Sequence, residues 1–458
     1  MIYLILIFAF VIRLISLNQS LWLDEATSVL TASNFSLTEI ITKFAPGDFH
    51  PPLYYLLLKF WLSAFGNSEV VVRLLSVVFG VATVYVIYLI GKKLFTEKLA
   101  FVASLIFAIA PLHIYYSQEA RMYSLATFLS TVSVLFFLKI LEKKPKILDW
   151  VLFSFSLALL VFTDYLPALM IPVFVSTALV ARKKWDWWKN FLFSFIPLIF
   201  IFSFWLQIFI KQLTSGLSVK AISPNWWGIL GKANLKNFLL IPVKFMLGRI
   251  SFINKSIYAL AIAIFAGIYA YLFYQTKKIF PKTIILWCWL LLPILLSLVI
   301  ALKVPSLSYF RLIFCLPAFY LLIAVGLTQI KKNISTILLL AVLILNFWAS
   351  GNYLLNSRFQ REDWRGLVNF IKNESRGIKS QVIFVANSQM EAFSYYAKDI
   401  NFGGPKILNR VNKQIWLMRY VQPIFDPDDS VRYEVEKLGF KKLGEFDFNG
   451  VVVWRYNK

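Results

Sequence analysis

Asp24 and Glu25 stand side by side in the stretch SLWLDEATS, just after the apolar run 1–17. Adjacent carboxylates where such a run should leave a membrane can do one of two things. They can start a surface helix, with Asp24 as its N-cap and Glu25 favouring the positive end of the dipole, or they can supply a general base. Two further stretches bring matching groups. HIYYSQEARMYSL carries Tyr116, Gln118, Glu119 and Arg121 beside another apolar run, and LSYFRLIF puts Arg311 at the outer end of a third. Ionisable side chains near membrane depth are costly enough to mark function by default. Carboxylates and arginines converging from three segments suit sugar transfer from a lipid phosphate: an acceptor hydroxyl gives its proton to a carboxylate while guanidinium groups hold the leaving phosphate. Each residue also has a plainer reading. Glu119 and Arg121 can pair with each other at a helix end, and Arg311 can snorkel to the interface. His50 could meet substrate or a metal, or simply cap a turn, and His113 is the weaker of the two histidines as a ligand.

Such residues need a frame, and composition says what kind. The chain has 458 residues, 59% of them hydrophobic and 15% charged, with a mean hydropathy of +0.70. That excludes an ordinary soluble globule. Aromatics reach 17%, including 15 Trp and 21 Tyr, as many crossings of the interfacial belts would require. The formal charge of +24 does not indicate a nucleic-acid partner, because Lys and Arg fall in short clusters between apolar runs rather than on one face. The first segment has no basic leader or small-residue cleavage site and reads as a retained helix. Cys288 and Cys315 lie within apolar runs and read as small core fillers.

Apolar runs fit to cross roughly 30 Å of hydrocarbon as helices fall near 1–17, 70–91, 97–112, 121–140, 150–163, 166–181, 190–210, 256–275, 282–302, 311–329 and 333–350. The expectation is a mainly α, polytopic membrane domain, 1–350, of about eleven spans. Alternate loops hold the basic residues: Lys92, Lys93 and Lys98; Lys143, Lys144 and Lys146; Arg182, Lys183, Lys184 and Lys189; Lys277, Lys278 and Lys282; Lys331 and Lys332. By the positive-inside rule the N-terminus is cytoplasmic and residues 351–458 lie outside, in a multi-pass protein of the plasma membrane. The outward loops 18–69 and 211–255 are long. Within the first, HPPLYYLLLKFWLSAFG is too short to span and suits an interfacial helix. The second holds seven Lys or Arg residues and SPNWWG, which could meet lipid phosphates or lie in the interface. Residues 351–458 read as a small extracytoplasmic α/β domain: helix at DWRGLVNFIKN, strand at QVIFVAN, helix at SVRYEVEKLG and a hairpin turning at Asn449-Gly450.

The stretches LWLDEATS, HPPLYYLLLKFWLSAFGNSEVVVRLLSVVFG, PLHIYYSQEARMYSL, SYFRLIFCLPAFYLL and REDWRGLVNFI, in that order, resemble the GT-C membrane glycosyltransferases, in the branch of the protein O-mannosyltransferases and aminoarabinose transferases. The resemblance implies a polyprenyl-phosphate sugar donor and inverting transfer by a single displacement, to a hydroxyl or phosphate of a lipid, glycan or protein acceptor on the outer side of the membrane. By the same resemblance Asp24 corresponds to the acidic residue of the first loop that activates the acceptor or organises the site, with Glu25 beside it. Glu119 and Arg121 correspond to the second-loop pair close to the donor phosphate. Substrate binding is further assigned to His50, Tyr116, Gln118 and Arg311. No ligand spacing defines a metal site, which leaves a divalent metal open. The β-trefoil insert of eukaryotic protein O-mannosyltransferases is missing, which weighs against a protein acceptor. A transporter or flippase of lipid-linked sugars is the alternative, although no internal repeat supports it.

Overall fold

The computed structural model describes residues 1–408 and 413–458. Among them, five helices are long and apolar enough to cross a membrane, or six if the bent pair Glu97–Ala108 and Pro111–Ser117 counts as one span. This is fewer than the eleven expected from hydropathy. One reason is length: Ile2–Leu14, Ile147–Val161, Leu166–Val180 and Ile313–Thr328 are apolar, but an α-helix rises only 1.5 Å per residue, so each falls short of the roughly 30 Å hydrocarbon layer. The other is that the expected spans 256–275 and 282–302 fall in one helical run, Lys255–Ile300. Two of the five, Trp185–Ala221 and Lys255–Ile300, are much longer than a single crossing. In the run Lys255–Ile300, Trp287 Nε1 donates to Thr276 Oγ1 at 3.1 Å, and its ring packs 5.5 Å from that of Phe273. A straight helix would separate those rings by roughly 20 Å, so the chain doubles back at the 3₁₀ turn Thr276–Ile279.

The two long loops expected to face outward are largely helical. Residues 18–69 hold Leu23–Asn34 and Leu53–Phe65, packed on each other. The expected loop at 211–255 is corrected at its start, where Ile196–Ile222 is one continuous helix, and it contains a second helix at Leu235–Leu247. The last long helix, Lys332–Leu355, runs past the expected boundary at 350.

The C-terminal region forms a five-stranded sheet in the order β2-β1-β3-β5-β4, from β1 Ser380–Ile383, β2 Phe402–Gly403, β3 Gln414–Met418, β4 Lys441–Phe448 and β5 Val451–Asn457. β1 pairs in parallel with β2 and β3; β5 is antiparallel to β3 and β4. Side chains alternate across it. Ile383, Ile415, Leu417 and Tyr456 pack under Val431 and Val435 of helix Ser430–Lys437. Val382, Trp416, Val451 and Val453 face helix Trp364–Glu374, in a core continuous with that of the membrane helices. The β4–β5 turn has positive φ at both Asn449 and Gly450, the two-residue hairpin geometry that Asn-Gly favours.

Candidate active site

The helix Leu23–Asn34 begins with Trp22, not Asp24, as its N-cap, which corrects the capping expectation. Asp24 and Glu25 are then successive helical residues, about 100° apart around the axis, and face different surroundings. Glu25 points inward and is fully buried. It receives a two-pronged grip from Arg73, Nε to Oε1 at 2.8 Å and Nη2 to Oε2 at 2.6 Å, and the Ala120 amide donates to Oε1 at 2.9 Å. Burial pushes the Glu25 carboxyl up, but Arg73 and Arg361 outweigh it and hold the group below the usual carboxylate range. Asp24 points the other way. Its side chain is 40% exposed and sits 3.9 Å from Arg121 Nη2.

Arg121 itself is buried. Its Nη1 donates to Tyr55 Oη at 3.0 Å and to Ser28 Oγ at 3.4 Å. Tyr55 donates to Asp48 Oδ2 at 2.7 Å, and His50 Nδ1 lies 3.6 Å from Asp48 Oδ1. Burial alone would raise the Asp48 carboxyl, but His50, Arg121 and the Tyr55 hydroxyl bring it down to about 2. His50 also forms part of the wall of a cavity of about 440 Å³. Most of that wall is apolar, supplied by Phe209, Leu213 and Leu217 of helix Ile196–Ile222; Asp164 and Arg311 are charged residues on it. Arg311 donates to the Pro305 carbonyl at 2.8 Å. A continuous series of contacts thus leads from the cavity through His50, Asp48, Tyr55 and Arg121 to Asp24.

Glu119 and Arg121 do not pair with each other. Glu119 accepts from Arg361 Nη1 at 3.0 Å, while its Oε1 is buried without a partner. Tyr116 is buried in an aromatic group with Tyr115, Tyr123 and Phe310. Gln118 turns away from the cavity and donates to the carbonyls of Arg13 and Ile15 at 2.8 and 2.7 Å. His113 lies off the site, where its Nδ1 and Arg13 Nη2 are 2.9 Å apart.

Three arginines went unassigned in the sequence. Arg73 is hidden near the start of an apolar run, and Arg361 lies in REDWRGLVNFI, read only as the opening of the soluble domain. Arg249, in a loop noted only for its basic content, donates to Tyr115 Oη at 2.6 Å. Glu362, next to Arg361, accepts from Trp364 Nε1 and Tyr420 Oη, both at 2.9 Å; burial pushes its carboxyl up. Among the described residues no three His, Cys, Asp or Glu side chains are grouped to hold a metal ion.

A family model described as dolichyl-phosphate-mannose-protein mannosyltransferase matches residues 49–209. No curated protein matches the chain in sequence. Among solved structures, ArnT from Cupriavidus metallidurans in the apo state is similar over 99% of this chain and 97% of its own, with a TM-score of 0.58 and 12% identity. The same protein bound to undecaprenyl phosphate gives 0.56 at 13% identity over equal shares. The apo oligosaccharyltransferase of Archaeoglobus fulgidus gives 0.56 at 11% identity, over 92% of this chain and 70% of that one. The chain therefore has the GT-C fold over its length, and its sequence likeness to the protein O-mannosyltransferases, first read from its motifs, is borne out over residues 49–209.

Proposed function

We propose that the protein is an inverting glycosyltransferase that moves a hexose or pentose from a polyprenyl-phosphate carrier to a lipid, glycan or protein acceptor on the outer side of the plasma membrane. One observation carries the reading: a half-exposed carboxylate, Asp24, stands 3.9 Å from a buried arginine that is linked to an apolar cavity bearing Arg311. A carrier lipid needs such an apolar cleft with a few placed polar groups, and a phosphate needs cations. The undecaprenyl phosphate bound by the ArnT of similar fold supports a carrier of this kind.

In this mechanism Asp24 takes the proton of the acceptor hydroxyl as that oxygen attacks the anomeric carbon. The bond from that carbon to the phosphate oxygen breaks, and the carrier phosphate leaves with the bonding pair. Arg121 and Arg311 stabilise the charge that develops on it, since preorganised donors contribute most where charge appears in the transition state. Glu25 is held by Arg73 and acts as a support. No separate observation favours a transporter. Purified protein in liposomes with a labelled polyprenyl-phosphate sugar and acceptor extract should release the free carrier phosphate and label the acceptor. Sugar that crossed the bilayer still attached to its carrier would instead indicate a flippase.

A further inference from the structure

Arg361 belongs to the soluble domain but is spent almost entirely on the membrane domain. Its side chain is 2% exposed and reaches both Glu119 and Glu25. Nη1 donates to Glu119 Oε2 at 3.0 Å and Tyr115 Oη at 3.2 Å; Nη2 donates to the carbonyls of Tyr115 and Gln118, each at 3.4 Å. The guanidinium also lies 4.4 Å from the centre of the Tyr115 ring, within cation–π range. These contacts gather the end of helix Pro111–Ser117 and the turn after it. With Gln118 tied to Ile15 and the Ala120 amide on Glu25, the three residues before Arg121 are all fixed. Only then does Arg121 reach Tyr55 and Asp24.

The arm that carries Arg361 is secured by the folded sheet. Asn449 Nδ2, at the β4–β5 turn, donates to the Arg361 carbonyl at 2.7 Å, and the Asp363 amide donates to the Phe448 carbonyl at 3.1 Å. We propose that Arg361 is a positioning residue through which the soluble domain completes the active site, by fixing the 118–122 turn so that Arg121 is presented to Asp24. This deepens, and rests on, the glycosyltransferase reading. Arg365 provides the comparison. It also joins the two domains, donating to Glu69 at 2.9 Å and to the Asn18 carbonyl at 3.1 Å, yet it does not touch the turn.

The test compares Arg361→Lys with Arg365→Lys in the full-length protein, by steady-state transfer and by backbone hydrogen exchange. Lysine keeps the charge but cannot span the same set of acceptors. Arg361→Lys should lower kcat about 10- to 100-fold, the scale of a small misplacement, with donor KM within about threefold, and should speed exchange at residues 118–122. Arg365→Lys should leave kcat and that exchange as in wild type. Wild-type kcat in folded Arg361→Lys, or equal losses in both variants, would overturn the proposal. If Arg361→Lys does not fold, Asn449→Gly decides: it suits the turn but releases the Arg361 carbonyl, so kcat should fall and exchange at 118–122 should rise, and wild-type values for both would overturn the proposal. A wild-type protein that transfers no sugar, with the exchange difference intact, would remove the activity and leave the positioning of the turn standing.

Discussion

Asp24 and Glu25 differ by one methylene and one position, yet the fold gives them opposite environments. Glu25 belongs to a buried row of alternating charge, Arg73, Glu25, Arg361 and Glu119. Removing one member of such a row typically costs about 3–5 kcal/mol, because its partner is left buried and uncompensated. Glu25→Gln should therefore reduce thermal stability strongly, whereas Asp24→Asn should leave it nearly unchanged, as scanning calorimetry in detergent can check. Acid should act through the depressed carboxylates. A group whose folded pKa is lowered contributes stability that is complete above its unfolded pKa and is lost as pH falls through the folded one. For Asp48 that window runs from 3.8 down to about 2, and Glu25 is shifted in the same direction. The melting temperature should drop below about pH 4, and Asp48→Asn should flatten part of the drop.

At this scale the chemistry-bearing residue types were legible in sequence, but their partners were not. LWLDEATS announces two carboxylates; which one faces inward depends on whether the helix starts at Leu23 or Glu25, a matter of two residues. Arg73 and Arg361 gave no signal because the acids they meet lie tens or hundreds of positions away.

Among the elements, the break between Glu97–Ala108 and Pro111–Ser117, a bend of 63°, turns the chain toward the site. Pro111 cannot donate to the preceding turn, and the carbonyls around the break are met by side chains: Arg13 Nη1 at Ala108, Ser350 Oγ at Ile109 and Asn346 Nδ2 at Ile106. This is how non-helical backbone is tolerated at membrane depth. Hydropathy reads the segment as one span, 97–112, because it averages over the proline and cannot see three polar side chains arriving from distant helices. Gly80 supplies the room. A Cβ there would fall 2.3 Å from Ser117 Oγ and 2.8 Å from Ser117 Cβ. Gly80→Ala should thus push the bent segment outward, at about 1–3 kcal/mol as overpacking does, and lower both melting temperature and transfer rate; unchanged values would mean that the segment yields freely.

In the molecule as a whole, one continuous core runs from the long apolar helices into the C-terminal sheet. The α/β character of the C-terminal region, its two main helices and its Asn-Gly hairpin were legible from short-range patterns. β3 was not, because all five residues of Gln414–Met418 are buried and a strand covered on both faces has no alternation to detect. By the positive-inside rule the alternating basic loops predict a C-terminus outside the cytoplasm, so a reporter active only in the cytoplasm and fused after Lys458 should stay silent. An active reporter would move the site to the other side of the membrane.

The central claim, that Asp24 is the base of a sugar transfer from a polyprenyl-phosphate carrier, is tested most directly by the single-turnover rate of Asp24→Asn in liposomes loaded with donor and acceptor. Asn keeps the shape of the side chain and removes its basicity. Because Asp24 caps no helix, the fold loses little. The rate should fall about 10²–10⁴-fold, the usual contribution of a general base, while the donor still binds and the melting temperature holds. An Asp24→Asn protein that transfers sugar at the wild-type rate would contradict the account.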